Sequence, residues 1–468
     1  MPPKVALLNV GFEPWEPDVL PPLLISPPFG IMYIGAYLRS NSFEVALFDW
    51  SGEELGEEKK SALQAFRPDI VGVTVLVSSS ILRAMEVSKW SKEIGAAVVW
   101  GGPEPTVLAE MTLRDAPVDV VVIGEGELTM RELCTALHDR TRLNDVKGIA
   151  FMEDGKVVFT SPRPRIEDLD TLPMPLWDSM GDIGRYAIPF YGRKAIPMNT
   201  SRGCPNTCTF CYTKKMWGYR WYAKSAEKVL EELRLIKKIY PQLGGVLFDD
   251  DLFAGDTKRL KKLCDLLIET KTDILWNCEL RADEISEDLA ELIKEAGCRQ
   301  VCVGVESGSQ RLLDMTLKGV RLEDIKAAFD TLHEVGIEGV AMLMVGLPGE
   351  TEEDFAHTKR FLDRLEADCY VFAVYVPYPG TELYKVARER GFEEPKTLQE
   401  WAMRGGEHHS MISRRNLSEV PWQRIDRFMT GMTKKAKRMR YWREFKNSPL
   451  TAPMRGAKLL LRRRKPNL

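Results

Sequence analysis

The sequence has no apolar run long enough to span a bilayer. Its first strand-like segment, residues 4–10, is far below the roughly 20 residues that a membrane helix needs. Pro2, Pro3 and Lys4 lead straight into that segment, so no secretory leader is expected and the chain reads as cytoplasmic. Histidine is scarce: there are five, and none precedes His138. Nine cysteines make an odd number, and most are scattered singly, which excludes a disulfide framework and fits a reducing compartment. No GxGxxG turn follows the first strand, which disfavours a dinucleotide site. There is no internal repeat and no low-complexity stretch.

What is present is an ordinary globular balance of apolar and charged residues, unevenly placed. The net charge of -3 conceals a basic end. From Thr433 onward there are 13 Lys or Arg against one acid, Glu444, which leaves 52 basic and 67 acidic residues before it. An anionic partner suits that tail, but an acidic body would repel phosphate, so nucleic acid is not expected.

Apolar runs at 4–10, 44–50, 69–77, 96–102 and 118–127 are β-rich and end in Gly, Ser or Asp, with amphipathic segments such as 31–40 and 81–94 between them. Continuous apolar strands joined by helices predict an α/β domain over residues 1–150. Its sheet should be parallel and doubly wound (Rossmann-like), with a ligand at the carboxyl ends of the strands. Residues 151–194, broken by prolines, are expected to form a linker. Strand patterns resume at 195–201, 244–250, 274–280, 300–306, 339–346 and 369–377, alternating with helix patterns at 226–240, 257–270, 286–296, 322–335 and 351–365. Six such units predict a partial (βα)6 barrel over 195–397, with its site at the strand C-terminal ends. Residues 398–468 read as a helical, basic C-terminal region.

Cys204, Cys208 and Cys211 form the one tight cysteine cluster, directly after the first barrel strand. Three thiolates in one loop can each bind one iron of a cubane and leave the fourth iron open to a substrate molecule. A structural zinc site would ask for four ligands, usually in two pairs, and no fourth Cys or His lies near.

Here the sequence resembles the radical S-adenosylmethionine enzymes, whose cluster loop is CxxxCxxC after the first barrel strand. Phe210 matches the aromatic residue before the third cysteine, and Phe248-Asp249-Asp250-Asp251-Leu252-Phe253 looks like the FxDDxF segment of one subgroup. Asn277 and Arg281 flank the third strand's end. Gly304 to Ser309 resembles the GxESGS segment, Gly346 to Thr351 the GLPGET loop, and Tyr378 to Thr381 the PxPGT segment. The resemblance implies a [4Fe–4S] cluster on the three cysteines, with S-adenosylmethionine against Phe210, Asp250, Asp251, Glu306, Ser307, Gly346 and Pro348. Glu306 would accept from ribose hydroxyls, or else stand as a rim carboxylate paired with an arginine. Asp250 and Asp251 would orient a ligand amine or the substrate, or one of the pair would simply cap the next helix.

The first domain resembles the cobalamin-binding domain of a large radical-enzyme subgroup, through Pro27 to Gly30, Ser78 to Ser80, Gly101 to Thr106 and Gly124 to Glu127. That implies corrin contacts at Ser78, Ser79, Gly101, Gly102, Gly124 and Glu125. Two departures stand out. The DxHxxG segment that supplies a histidine ligand in cobalamin mutases is absent, and Glu104 replaces the histidine of GGPH, a change without an account.

The resemblance implies a cobalamin-dependent radical methyltransferase. It would act through a 5′-deoxyadenosyl radical on an unactivated carbon of a lipid, pigment or natural product, supplied by an external one-electron reductant. A cyclase or oxidative rearrangement enzyme with the same cofactors is the alternative, and a non-catalytic cobalamin and iron–sulfur sensor is a third reading. The aromatic and basic residues after Trp422 suit either a peripheral contact with anionic lipid or, more simply, a helical cap on the barrel. His408 and His409 read as loop histidines, and Cys264, Cys278, Cys298, Cys302 and Cys369 as core.

Overall fold

A computed structural model describes residues 2–11, 26–76, 80–405 and 417–447. Five parallel strands, β1 (Lys4–Asn9), β2 (Glu44–Asp49), β3 (Ile70–Thr74), β4 (Ala97–Gly101) and β5 (Val120–Val122), lie in the order β2-β1-β3-β4-β5. Helices such as Phe29–Ser40 and Ser80–Glu93 cover the sheet. Strand order reverses between β1 and β3, and a doubly wound sheet opens its crevice at that point.

The sheet continues past the boundary expected at residue 150. Strands β6 (Ile149–Glu153) and β7 (Lys156–Phe159) add an antiparallel hairpin to β5. Its turn is Asp154-Gly155, both at positive φ (49° and 75°), the two-residue geometry that matches strand twist. The stretch expected to be a linker therefore opens inside the first sheet. It also ends inside the second, where β8 (Ile188–Phe190) turns through Tyr191-Gly192 to pair antiparallel with β9 (Arg193–Met198).

After the short pair β10 (Ser201–Arg202) and β11 (Tyr222–Ala223), five further strands run parallel to β9: β12 (Leu243–Phe248), β13 (Leu275–Leu280), β14 (Cys298–Glu306), β15 (Glu338–Val345) and β16 (Cys369–Val374). This is the expected six-stranded partial barrel. Its outer face carries Val246, Phe248, Trp276, Cys278, Val301 and Val303 into one core with the helices. Those helices start on side-chain oxygens. Ser225 accepts from the Lys228 amide, Asp256 from Lys258, Ser286 from Leu289 and Thr351 from Asp354. Each such cap stabilises its helix by about 1 kcal/mol.

The C-terminal region is divided. Helix Leu398–Gly405 turns back onto the first domain, where Leu398 and Trp401 share a core with Ala6, Leu8, Val73 and Trp100. Arg114 donates to the Lys396 carbonyl at 2.9 Å, and the Leu398 amide to Asp115 at 2.8 Å. The last helix, Trp422–Asn447, packs its first half on the barrel: the Phe428 ring meets Phe355 (5.0 Å) and Phe372 (5.7 Å), and Met432 joins the barrel core. That half is a barrel cap. His408 and His409 lie outside the described residues.

Candidate active site

The cysteine loop is held at both ends by consecutive carboxylates at the end of β12. Asp250 is buried and accepts from the Thr200 amide (2.8 Å), the Thr200 hydroxyl (3.1 Å), the Ser201 hydroxyl (2.8 Å) and the Ser201 amide. Asp251 accepts from the Gly203 amide at 3.2 Å and the Thr213 hydroxyl at 3.1 Å, on either side of the cysteines. In mid-loop, the Thr209 amide donates to the Thr316 carbonyl and the Leu383 amide to the Thr209 carbonyl, both at 2.9 Å. Asp250 thus bonds to Thr200 and Ser201 of the chain itself. Its place in FxDDxF is explained by the loop it fixes.

All three cysteines are free thiols, with Cys208 buried and Cys204 and Cys211 half-buried. The Asn206 amide donates to the Cys204 sulfur at 3.2 Å. Burial pushes the Cys208 thiol up, opposed by the Lys318 charge, and burial likewise raises Cys211, opposed by the Thr213 hydrogen bonds. Among the described residues no three ligating side chains converge on one point. A cubane does not ask for that, because each thiolate takes its own iron. Three free thiols on a loop pinned at both ends therefore fit such a cluster.

Glu306, at the end of β14, pairs with Lys318 at 2.8 Å rather than with an arginine. Its backbone is left-handed (φ 58°), at a slip in the β14–β15 register between Gly304 and Glu306. Ser307 turns the other way: its hydroxyl shares a 3.1 Å hydrogen bond with Thr358 of the helix Glu352–Leu365, so the expected ligand contact does not fit its surroundings. The Gly346 amide donates to the Glu350 carboxylate at 3.1 Å, and Pro348 is buried beside it. Burial raises the Glu350 carboxyl to about 7. Phe210 packs partly buried against the core shared by the two domains. On the strand between β12 and β14, Glu279 is raised to about 8, first by burial and then by Asp249, Asp250, Asp251 and Glu306 around it.

The first domain's crevice opens directly onto this loop. A cavity of about 640 Å³ is lined from one side by Asn9, Thr74, Gly101, Gly102, Gly124 and Glu125, at the ends of β1, β3, β4 and β5. From the other side it is lined by Asn199, Thr200, Arg202, Tyr212, Trp217 and Asp251. Small residues at the switch point leave room for a flat ligand against backbone, so the cavity fits a corrin. Ser78 and Ser79 lie outside the described residues.

Arg202 joins the halves. It donates to Glu125 at 2.7 Å and to Glu127 at 2.6 Å, and its guanidinium lies over Tyr33 (5.1 Å) and Trp217 (5.7 Å). Glu125 also accepts from the Ile166 amide at 2.9 Å. Glu125 thus lines the cavity mainly as one arm of a domain clamp, not as a free corrin contact. Sequence reasoning missed Arg202 and Lys318. Arg202 stands two residues before Cys204, and no local pattern announces its partners some 75 residues away.

Residues 198–362 match the family model of the radical S-adenosylmethionine superfamily, and residues 19–134 match that of the B12 binding domain. An uncharacterized methyltransferase of Pyrococcus horikoshii is 34% identical over 77% of this chain and 78% of its own length. The chain belongs to the cobalamin-binding radical S-adenosylmethionine enzymes. Among other members, the anaerobic magnesium-protoporphyrin IX monomethyl ester cyclase of Rubrivivax gelatinosus is 33% identical over 77% of this chain and 66% of that protein. The fold is shared with the radical S-adenosylmethionine methyltransferase TsrM of Kitasatospora setae (TM-score 0.69, 19% identity, 86% of this chain and 81% of that one). In this enzyme family a [4Fe–4S] cluster, S-adenosylmethionine and cobalamin are the cofactors, and the loop and cavity described above are the places in this chain that suit them. Among the described residues no helix is long and apolar enough to cross a membrane.

Proposed function

We propose that this enzyme transfers a methyl group to an unactivated carbon of a small apolar substrate, such as a pigment or lipid. One observation carries the reading: the crevice of the first domain and the flanks of the cysteine loop line a single cavity. When bound, the three cofactors supply one-electron cleavage of a sulfonium, a carbon radical and a transferable methyl group. The chain's own part is placement. Asp250 and Asp251 fix the cysteine loop, Glu306 and the Gly346 loop offer acceptors and close backbone to the nucleoside, and the Arg202 clamp keeps the two halves in register. The same reading requires an external one-electron donor. A lipid substrate would bring the enzyme to a membrane surface, and the basic segment after Thr433 is the part of the chain suited to that contact.

The Rubrivivax relative is named for cyclisation of a magnesium porphyrin, which makes a metalloporphyrin monoester the first probe. Anaerobic, reduced enzyme with methyl-labelled S-adenosylmethionine and that probe should release 5′-deoxyadenosine and give a labelled product. Release of 5′-deoxyadenosine with an unlabelled, ring-closed product would overturn methyl transfer in favour of the cyclase reading.

A further inference from the structure

Lys318 is a buried lysine with no place in the family segments that located the site. It follows the helix Gln310–Met315, is 9% exposed, and reaches over β14 so that its ammonium lies 2.8 Å from Glu306. The strand leaves room for it. A Cβ at Gly304 would stand 2.5 Å from the Lys318 nitrogen and 2.9 Å from the Glu306 carboxylate. Lys318 is tied to the cysteine loop as well, since the Thr316 carbonyl, two residues earlier, accepts from Thr209, the neighbour of Cys208. Arg281 fixes the same turn by donating to the Lys318 carbonyl at 3.0 Å.

A buried ammonium is costly unless it is paired, and Lys318 is paired with Glu306. Glu306 in turn sits in left-handed backbone, which persists only where the surroundings enforce it. The pair is therefore a fixed dipole in a poorly solvated corner between β14 and the cysteine loop. Charges in such a place are weakly screened, so the positive end acts on whatever negative charge the loop carries.

We propose that Lys318 is a positioning residue with two effects: it aims the Glu306 carboxylate, and its charge favours the reduced form of a cluster held by Cys204, Cys208 and Cys211. Addition of an electron makes such a cluster more negative, and a nearby cation stabilises that state. The inference rests on the cluster assignment for the cysteine loop.

The test is the cluster's midpoint potential, read by electron paramagnetic resonance in a redox titration of the full-length, anaerobically reconstituted protein without substrate. Lys318→Met should move the potential to more negative values, Glu306→Gln to more positive values, and the double variant should return towards wild type. Lys318→Arg, which keeps the charge, should stay close to wild type. A structural role alone would not give shifts of opposite sign. If Lys318→Met fails to load iron, Gly304→Ala serves instead, because the added methyl group displaces the ammonium; a smaller negative shift is expected. A wild-type potential in iron-replete Lys318→Met, or in iron-replete Gly304→Ala where it stands in, overturns the inference. Wild-type protein that assembles no cluster would instead break the assignment on which it rests.

Discussion

The cysteine loop and the corrin cavity lie on either side of Arg202, and they are built differently. The loop is a short stretch of chain fixed by side chains close to it in the fold: Asp250 and Asp251 alone receive hydrogen bonds from Thr200, Ser201, Gly203 and Thr213. The cavity is a surface gathered mostly from the first domain, at the ends of four strands, and closed by residues that flank the cysteine loop. A reactive centre that must sit at one point is specified by polar contacts, whereas a large flat ligand is accommodated by small side chains and backbone. The first kind of site tolerates little; the second tolerates substitution but depends on how the two domains meet.

The sharpest separation of the two comes from Cys208→Ala. Cluster iron and all 5′-deoxyadenosine formation should be lost while corrin binding, followed by its visible absorption, persists. Loss of both would mean that the two sites are not independent. Arg202→Met should break the comparison from the other direction. It leaves Glu125 and Glu127 buried without their cation, a change that costs about 3–5 kcal/mol, and it should lower both corrin and iron content. An unchanged denaturation midpoint would show that the clamp is not needed. The smallest effect is expected at Glu279. Its carboxyl is raised to about 8 in the folded protein, above the ordinary value of 4.5. The folded state thus holds the proton more tightly. Its contribution to stability is fully present below pH 4.5 and is lost as pH rises through about 8. Glu279→Gln should therefore melt a few degrees above wild type at pH 9, with the gap closing towards pH 5.

The strands and helices were largely legible because both sheets are parallel and covered, so their strands read as continuous apolar runs. The two hairpins escaped because β7 and β8 are short and β8 carries Pro189, although Asp154-Gly155 is a recognised hairpin signal. The cysteine loop was legible from spacing. Its supports were not legible: Asp250 and Asp251, both read as ligand contacts, hold the loop itself, and Ser307 bonds to a helix. Pairs such as Arg202 with Glu125, or Lys318 with Glu306, were not legible at all. A charge pair is made by the fold, and either partner alone looks like any surface ion.

The return of helix Leu398–Gly405 to the first domain has a consequence for the order of events during synthesis. Ala6, Leu8 and Trp100 share their core with Tyr384, Leu398, Trp401 and Leu417. A ribosome adding about 5–20 residues per second needs on the order of 15–60 s to pass from the fifth strand to that segment. Through that interval the nascent first domain shows an apolar flank that its own sequence does not cover. The residues that line the cavity end at Asp251, so the flank stays uncovered after the last of them has been made.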